Sequence, residues 1–210
     1  MSQPPTVYVT RAIPEAGVER LRERYRVVVR DERLPPERSR IEAELRAHEA
    51  DGLLCLLTDE IDGDVLDASP DLSVVSTYSV GYDHVDLAAA AERGIAVGHT
   101  PGVLTETTAD LAWALLLTCA RRTVEGHDYV AADEWETWNP TLLMGADVHD
   151  ATLGIVGLGD IGTATARRAA GFGMDVLYAG PNRKPDREAE LDALGVDATH
   201  VDLERLLDAS

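Results

Sequence analysis

Three glycines in the last third of the chain constrain its fold more than any other feature. Gly157, Gly159 and Gly162 follow the apolar run Thr152 to Val156 and precede a helix predicted over 163–170. In such a pattern the first glycine permits a tight turn, the second lets a pyrophosphate approach the backbone, and the third lets helix and strand pack closely. The helix start also offers unpaired N–H groups to an anion. The pattern predicts a dinucleotide-binding βα turn, with a glycine-rich turn that holds no ligand as the alternative.

Strands and helices are predicted to alternate on both sides of a Pro-Gly pair. Apolar or β-branched runs predict strands at 6–10, 26–30, 52–57, 72–77, 95–97, 152–156, 175–178 and 198–201. This alternation is typical of α/β proteins with parallel sheets. Because Pro101-Gly102 is a predicted hinge, we expect one domain over 1–102 and a second over 103–210. Between the two sets of strands, we expect a single long helix over 105–122 and an irregular excursion over 126–150.

The charge of the chain excludes some classes of partner. Asp and Glu number 38 against 19 Lys and Arg, which gives a net charge of −19, and the acids are scattered along the chain. Such a surface repels nucleic-acid backbones and anionic membranes, so we expect neither as a partner. Lys184 is the only lysine. Abundant acid combined with arginine in place of lysine predicts a salt-adapted, halophilic protein.

The cysteines and the apolar runs indicate the compartment. Cys55 and Cys119 each lie inside an apolar run, which predicts buried free thiols, and their spacing fits neither a disulfide framework nor a metal site. The N-terminus lacks the pattern of a signal peptide, and the longest apolar run, 111–117, is too short to span a bilayer. These features predict a soluble cytoplasmic protein without a bound metal.

The residues that end the second predicted strand of the dinucleotide unit indicate which cofactor the chain binds. An NAD site has Asp or Glu there to bind the ribose 2′-hydroxyl, but the run Tyr178 to Pro181 contains no carboxylate. Arg183 and Lys184 follow directly. Their positive charge is complementary to a 2′-phosphate, which favours NADP over NAD. The alternative is that both side chains belong to a solvated loop.

Several further blocks occur in a fixed order along the chain. They are Ser79-Val80-Gly81-Tyr82-Asp83, Arg93-Gly94-Ile95, Thr100-Pro101-Gly102-Val103-Leu104 and Thr107-Thr108-Ala109-Asp110-Leu111-Ala112. With the glycine turn, this series resembles the D-isomer-specific 2-hydroxyacid dehydrogenases over nearly the whole chain. The run Leu54 to Asp59 and the pattern Trp135-x-x-Trp138-x-Pro140 are most similar to the glyoxylate/hydroxypyruvate reductase branch.

The resemblance implies a flavodoxin-like substrate domain followed by the first half of a Rossmann domain, with the active site in the cleft between them. It places the substrate carboxylate at the backbone N–H groups of Val80 and Gly81, with Leu56 beside the substrate. It assigns the cofactor to Thr107, Gly157, Leu158, Gly159, Asp160, Ile161, Gly162, Pro181, Asn182, Arg183 and Lys184. NADP-using relatives often have arginine at the position of Pro181, so a 2′-phosphate contact would have to come from Arg183 or Lys184.

The resemblance also implies a homodimer. The tryptophan that matches Trp138 reaches into the neighbouring subunit in the family, which suggests self-association through the region of Trp135 and Trp138. Plain packing of the two rings is the alternative.

The chemistry that the resemblance implies is hydride transfer between NAD(P)H and a small 2-keto or 2-hydroxy acid. In the family a histidine protonates the developing alkoxide, a glutamate orients that histidine, and an arginine polarises the carbonyl. They lie in Pro-His-x-Gly, Gly-Leu-Asp-Val and Ser/Thr-Arg-Gly blocks, none of which occurs before Ser210. We therefore expect no catalytic residue in this chain, a truncated protein, no turnover by the isolated chain, and an exposed edge on the strand 152–156.

Two alternatives to this function remain open. One is a non-catalytic, dinucleotide-sensing interaction protein, since the family includes a corepressor branch. The other is an enzyme of the same family with a different substrate, such as phosphoglycerate or formate. Dinucleotide binding and dimerisation without turnover would favour the first.

If the chain is salt-adapted, it should be more stable in molar salt than in dilute buffer, because salt screens the repulsion among its carboxylates. Thermal unfolding at the two salt concentrations measures this difference. Equal melting temperatures would contradict salt adaptation.

Overall fold

The computed structural model, which describes residues 3–210, divides by its contacts into two units. The first unit ends at Pro101, and the second runs from Gly102 to Ser210. The boundary expected from the Pro-Gly pair, after residue 102, lies one residue from this division. Each unit has its own parallel sheet and its own buried core.

The first unit is an α/β layer structure with a five-stranded sheet. Its elements are β1 (Thr6–Val9), α1 (Glu15–Arg22), β2 (Arg26–Val29), α2 (Arg38–His48), β3 (Gly52–Cys55), α3 (Gly63–Leu66), β4 (Val74–Thr77), α4 (Leu87–Glu92) and β5 (Ala96–Gly98). All pairings are parallel and the strand order is β2-β1-β3-β4-β5. This is the order of flavodoxin-like sheets, so the predicted fold of this unit is confirmed.

Burial on both faces of the sheet explains the apolar strands. Tyr8, Leu53 and Val75 on three neighbouring strands are almost fully buried. The helix α2 covers them with Ile41 and Leu45, which lie four residues apart and so share one helix face. The helix α3 was not predicted, because a single helical turn is too short to show a periodicity.

The second unit contains a three-stranded sheet. Its elements are α5 (Thr105–Ala120), α6 (Thr123–Ala131), β6 (Thr152–Val156), α7 (Asp160–Ala169), a short 3-10 turn (Ala170–Phe172), β7 (Asp175–Ala179), α8 (Pro185–Asp192), β8 (Ala198–His200) and α9 (Leu203–Ala209). The strands are parallel in the order β6-β7-β8. They correspond to the first three strands of a Rossmann sheet, in which the first strand lies at the centre of the complete sheet.

The strand β6 therefore carries an open edge in the described part of the chain, since it pairs only with β7 there. Its side chains Leu153 and Ile155 are nevertheless buried in the core, while Val156 at its end is 70% exposed. The exposed edge expected on this strand therefore consists of the backbone N–H and C=O groups on the unpaired side of β6, together with the side chain of Val156.

Trp113 fixes α5 against α7. Its indole Nε1 donates a hydrogen bond of 2.9 Å to the backbone oxygen of Thr165. Its ring stacks on Phe172 with a centroid separation of 4.5 Å. A buried indole whose N–H has a partner contributes apolar area without a desolvation penalty, so α5 belongs structurally to the second unit.

The helix predicted over 105–122 is present as α5 and ends two residues early, whereas the prediction of an irregular excursion over 126–150 is wrong at its start. The helix α5 ends at Ala120, and α6 occupies the start of the segment predicted to be irregular. The break falls at Arg122, which takes a left-handed conformation with φ of 51°. The N–H of Ala146 donates to the terminal oxygen of Ala120 over 2.8 Å. The last carbonyl group of α5 is therefore satisfied by a residue far along the chain. Such a helix end needs no glycine or proline beside it, so the local sequence does not mark the break.

The prediction of two buried thiols is right for Cys55 and wrong for Cys119. Cys55 is buried in the first core, whereas Cys119 is exposed. Cys119 follows Leu111 and Leu115 at intervals of four residues, and both leucines are exposed. The apolar run therefore wraps around a helix whose outer face stays uncovered. None of the helices within residues 3–210 combines the length and the apolar composition of a bilayer-crossing segment.

Candidate functional site

The glycine turn joins β6 to α7 with the geometry that its sequence predicts. Gly157 has a φ of +94°, a conformation that side chains with a Cβ rarely adopt. A Cβ on Gly162 would lie 2.2 Å from the backbone oxygen of Gly157. A Cβ on Gly159 would meet no atom within 4 Å. Gly157 and Gly162 are thus required by the turn itself, whereas Gly159 faces open space.

Unpaired N–H groups face the start of α7. No side chain caps this helix, and within residues 3–210 the N–H groups of Gly159, Asp160 and Ile161 donate to no acceptor outside the helix. Leu158 anchors the turn in the core of the second unit, where its side chain is almost fully buried. The carboxylate of Asp160 is held by the guanidinium of Arg187 at 2.5 Å. The turn therefore offers an open, electropositive backbone surface to an anion.

The loop after β7 holds its arginine in an ion pair. The Nε and Nη2 atoms of Arg183 donate to the carboxylate of Glu188 over 3.0 and 2.7 Å. The hydroxyl of buried Tyr178 donates to the same carboxylate over 2.5 Å and accepts the N–H of Lys184 over 2.8 Å. Hydrogen bonds from Arg183 and then Tyr178 hold the pKa of Glu188 below its usual value. Glu188 thereby fixes the shape of this loop.

Lys184 differs from Arg183 in its electrostatic partners. Within the described residues no carboxylate lies within 4.0 Å of its ammonium group. Pro181, Asn182, Arg183 and Lys184 are all exposed at the carboxyl end of β7. A groove of about 640 Å³ runs beside β8 and is lined by Arg183, Pro185, Glu188, Ala189, Asp192, Asp197, Ala198, Thr199 and His200. None of the glycine-turn residues lines it.

Thr107 is exposed on α5. A cavity of about 210 Å³ beside the start of α7 is lined instead by Thr105, together with Gly102, Asp160, Thr163, Ala164, Arg167, Arg187 and Glu190. Of the two threonines, Thr105 lines the cavity that Asp160 also lines, and Thr107 does not.

In the first unit, the predicted substrate residues come together at the carboxyl edge of the sheet. Cys55 at the end of β3 pairs with Thr77 at the end of β4, so Leu56 and the Val80-Gly81 pair follow adjacent strand ends. Ligands of open parallel sheets bind at this edge. Leu56 and Val80 are half-buried and Gly81 is exposed.

The loop from Ser79 to Gly81 presents its amides outwards. Within residues 3–210 the N–H groups of Val80 and Gly81 donate to no acceptor. Its three carbonyl groups, in contrast, all accept hydrogen bonds. Two successive free N–H groups can bind a carboxylate without a charged side chain.

Asp59 holds the backbone of Leu56, a contact that the sequence analysis did not predict. Its buried Oδ2 accepts the N–H of Leu56 over 2.8 Å and the hydroxyl of Thr10 over 2.5 Å. The guanidinium of Arg11 lies 3.6 Å from its Oδ1. Asp59 and Glu188 were not predicted as site residues, because their contacts with Thr10 and Tyr178 join separate elements of the fold.

Comparison with known proteins places the chain in a family. The sequence model described as the D-isomer specific 2-hydroxyacid dehydrogenase catalytic domain matches residues 7–199. The chain belongs to this family. A glyoxylate reductase from Korarchaeum cryptofilum is 48% identical over 98% of this chain and 60% of its own length. The TT0316 protein from Thermus thermophilus has a similar structure, with a TM-score of 0.86 and 45% identity over 98% of this chain and 62% of its own.

The chain spans about 60% of the length of the curated relatives that it matches. The dehydrogenase family includes structures with either nicotinamide cofactor. A D-lactate dehydrogenase from Aquifex aeolicus was solved with NAD and lactic acid (TM-score 0.76, 25% identity, 98% of this chain, 58% of its own). A glyoxylate/hydroxypyruvate reductase from Sinorhizobium meliloti was solved with NADP and malonate (TM-score 0.71, 29% identity, 94% of this chain, 57% of its own). Within the described residues no cluster of three His, Cys, Asp or Glu side chains could hold a metal ion.

Proposed function

We propose that this dehydrogenase-family chain supplies the dinucleotide and carboxylate contacts of an NAD(P)-dependent reductase of small 2-keto acids. Glyoxylate and hydroxypyruvate are the proposed substrates. The observation that carries the proposal is the glycine turn, whose open side at Gly159 faces the unpaired N–H groups of Asp160 and Ile161. A pyrophosphate fits this surface for two reasons. Its negative charge is stabilised at the start of a helix, and the missing side chain of Gly159 lets it approach the backbone closely.

The residues of the second unit fit the cofactor along its adenosine half. Gly157, Leu158, Gly159, Asp160, Ile161 and Gly162 would hold the pyrophosphate. Pro181, Asn182, Arg183 and Lys184 would lie at the adenosine ribose, and Thr107 at the cofactor from α5. When bound, the nicotinamide carries the hydride that the reaction transfers.

We propose NADP as the preferred cofactor, with Lys184 as the contact of its 2′-phosphate. Lys184 has no carboxylate partner within the described residues, whereas Arg183 is engaged by Glu188. Arg183 can contact a phosphate only by giving up that ion pair. The NADP proposal therefore rests more on Lys184 than on Arg183.

The first unit would hold the substrate. Val80 and Gly81 would bind its carboxylate through their free N–H groups, and Leu56 would contact its carbon skeleton. The similarity to glyoxylate reductases at 43–48% identity supports a small 2-keto acid. The catalytic histidine, glutamate and arginine blocks of the family do not occur within residues 1–210, so we propose that the 210-residue chain binds its ligands without turning them over.

We propose the salt and redox environment of the protein from its charge and its cysteines. The net charge of −19 supports adaptation to high salt. Two free cysteines support a reducing, cytoplasmic environment.

The binding of NADPH by the 210-residue chain tests this function. NADPH fluorescence should report binding, and Gly159→Ala should weaken it by about tenfold or more, because the new methyl group occupies the space that the pyrophosphate needs. Gly171→Ala is the matched control, since a Cβ there also meets no atom within 4 Å but lies outside the turn. With glyoxylate or hydroxypyruvate added, NADPH should not be oxidised.

Two results would contradict parts of this proposal. Absence of NADPH binding by the wild-type chain would overturn the cofactor site. Oxidation of NADPH by the chain, free of host enzyme, would overturn the claim that it cannot complete the reaction alone. Tight binding together with dimerisation and no turnover would also fit a dinucleotide-sensing role.

Replacement of Glu188 tests the role of its ion pair. Glu188→Gln should tighten binding of 2′,5′-ADP severalfold, up to about tenfold, relative to ADP, because Arg183 becomes free to contact the 2′-phosphate. Glu190→Gln on the same helix is the control, since its carboxylate pairs with Arg187 and Arg167 instead. Calorimetric titration measures both ligands. Equal preference in Glu188→Gln and the wild type would show that Arg183 takes no part.

We also propose a homodimer formed through the region of Trp135 and Trp138. Both rings are exposed, Trp138 by 73%, and Leu111 and Leu115 on α5 and Val130 on α6 are exposed as well. Monomers of soluble proteins rarely leave so much apolar surface uncovered.

Sedimentation velocity tests the dimer. The wild-type chain should sediment as a dimer at micromolar concentration, and Trp138→Ala should shift it towards the monomer. Leu207→Ala, which removes an equally exposed apolar side chain on α9, should leave the dimer intact. A monomeric wild-type chain would refute the interface.

A further inference from the structure

A chain of buried hydroxyl groups runs beneath the loop that carries Val80 and Gly81. Thr77, the last residue of β4, is 1% exposed, and Ser79 is 8% exposed. The Thr77 Oγ1 lies 2.7 Å from the Ser79 Oγ and 2.9 Å from the Nε2 of His84. The Ser79 Oγ lies 2.6 Å from the backbone oxygen of Gly81. These contacts form one continuous relay from His84 to Gly81.

The donors and acceptors of the relay can be assigned without seeing hydrogens. The Gly81 oxygen can only accept, so Ser79 donates its single proton there. Ser79 must then accept from Thr77, because two oxygens 2.7 Å apart without a proton between them would repel. Because Thr77 donates its only hydroxyl proton to Ser79, its oxygen accepts a hydrogen bond from His84. His84 therefore carries a proton on Nε2.

A second histidine holds the same loop. The Nδ1 of His99 lies 2.9 Å from the backbone oxygen of Val80, which can only accept, so this ring carries a proton on Nδ1. The Tyr82 ring meets the His99 ring edge to face at 5.1 Å. The N–H of Thr100 donates to the remaining carbonyl, that of Ser79, over 2.9 Å.

The surroundings of His84 favour the neutral form of its ring. Burial lowers the pKa of His84, against the opposing charges of Asp59 and Asp83. The thiol of Cys55 lies 4.0 Å from its Nε2. Burial raises the pKa of that thiol to about 12, so Cys55 stays uncharged beside the ring.

All three carbonyl groups of the loop are thus occupied, while the N–H groups of Val80 and Gly81 have no acceptor within residues 3–210. Since a peptide unit whose oxygen is held cannot rotate freely, its N–H direction is fixed as well. Thr100 holds the Ser79 oxygen and so fixes the Val80 N–H, and His99 holds the Val80 oxygen and so fixes the Gly81 N–H. The relay holds the Gly81 oxygen and so fixes the peptide unit that follows Gly81. Fixed donors bind an anion more tightly than donors that must be ordered on binding.

We propose that His84 and His99, with Thr77 and Ser79, are positioning residues that hold the Val80 and Gly81 carbonyl groups. The peptide planes on both sides of Gly81 are then fixed, and the Val80 and Gly81 amides stay directed at the substrate carboxylate. This inference rests on the proposed carboxylate site in the first unit. The four side chains do not touch the substrate, and no proton is exchanged with it.

The histidine tautomers of the wild-type 210-residue chain give the first test. Nitrogen-15 NMR should show His84 protonated on Nε2 and His99 protonated on Nδ1. The opposite tautomer at His84 would overturn the relay without the need for any variant.

Three variants give the second test, with oxalate as a stable carboxylate probe. Thr77→Val keeps the side-chain shape but removes both hydrogen bonds, and should weaken oxalate binding by about tenfold. It should also lower the NMR order parameters of the Val80 and Gly81 N–H bonds, because the loop becomes more mobile. Thr77→Ser should restore both properties. Ser76→Ala removes a hydroxyl outside the relay on the same strand and should change neither.

The outcomes separate this inference from the proposed function. If Thr77→Val binds oxalate as the wild type does, with unchanged order parameters at Val80 and Gly81, the relay does not position the loop. If oxalate fails to shift the Val80 and Gly81 amide signals of the wild type, the proposed carboxylate site is wrong. The tautomers and the order parameters then still decide whether the relay holds the loop.

Discussion

The close approach of Gly162 to the backbone oxygen of Gly157 is the constraint on which the second unit depends. With only a hydrogen at Gly162, α7 can begin directly behind β6, where a Cβ would lie 2.2 Å from that oxygen. This placement leaves the first N–H groups of α7 open beyond the strand end. It also sets the position of α7 against which Trp113 fixes α5.

Both candidate sites use backbone N–H groups where side-chain charge could have been used. The glycine turn offers N–H groups at a helix start, and the Ser79–Gly81 loop offers two more whose carbonyl partners are tied down. In a chain of net charge −19, most arginines are held by neighbouring carboxylates, as Arg183 is by Glu188. Fixed backbone dipoles bind an anion without drawing on those ion pairs, which suits an acidic protein with anionic ligands.

Features determined by local sterics could be predicted from the sequence, and features determined by distant contacts could not. The glycine turn and the parallel strands follow from patterns within a few residues. The flavodoxin-like fold of the first unit is expected from the family resemblance. The end of α5 depends on Ala146, and the state of Arg183 depends on Glu188 in the following helix. The exposure of Cys119 depends on which face of α5 is covered. The residues next to the end of α5, to Arg183 and to Cys119 form no sequence pattern that predicts these features.

The stability of Gly162→Ala tests the central constraint most directly. All three tryptophans lie in the second unit, so their fluorescence in urea follows its unfolding. The account predicts that Gly162→Ala loses about 1–3 kcal/mol of unfolding free energy by overpacking against the turn. Gly159→Ala, whose Cβ meets open space, should stay within about 1 kcal/mol of the wild type. Equal stability of Gly162→Ala and the wild type would contradict the account.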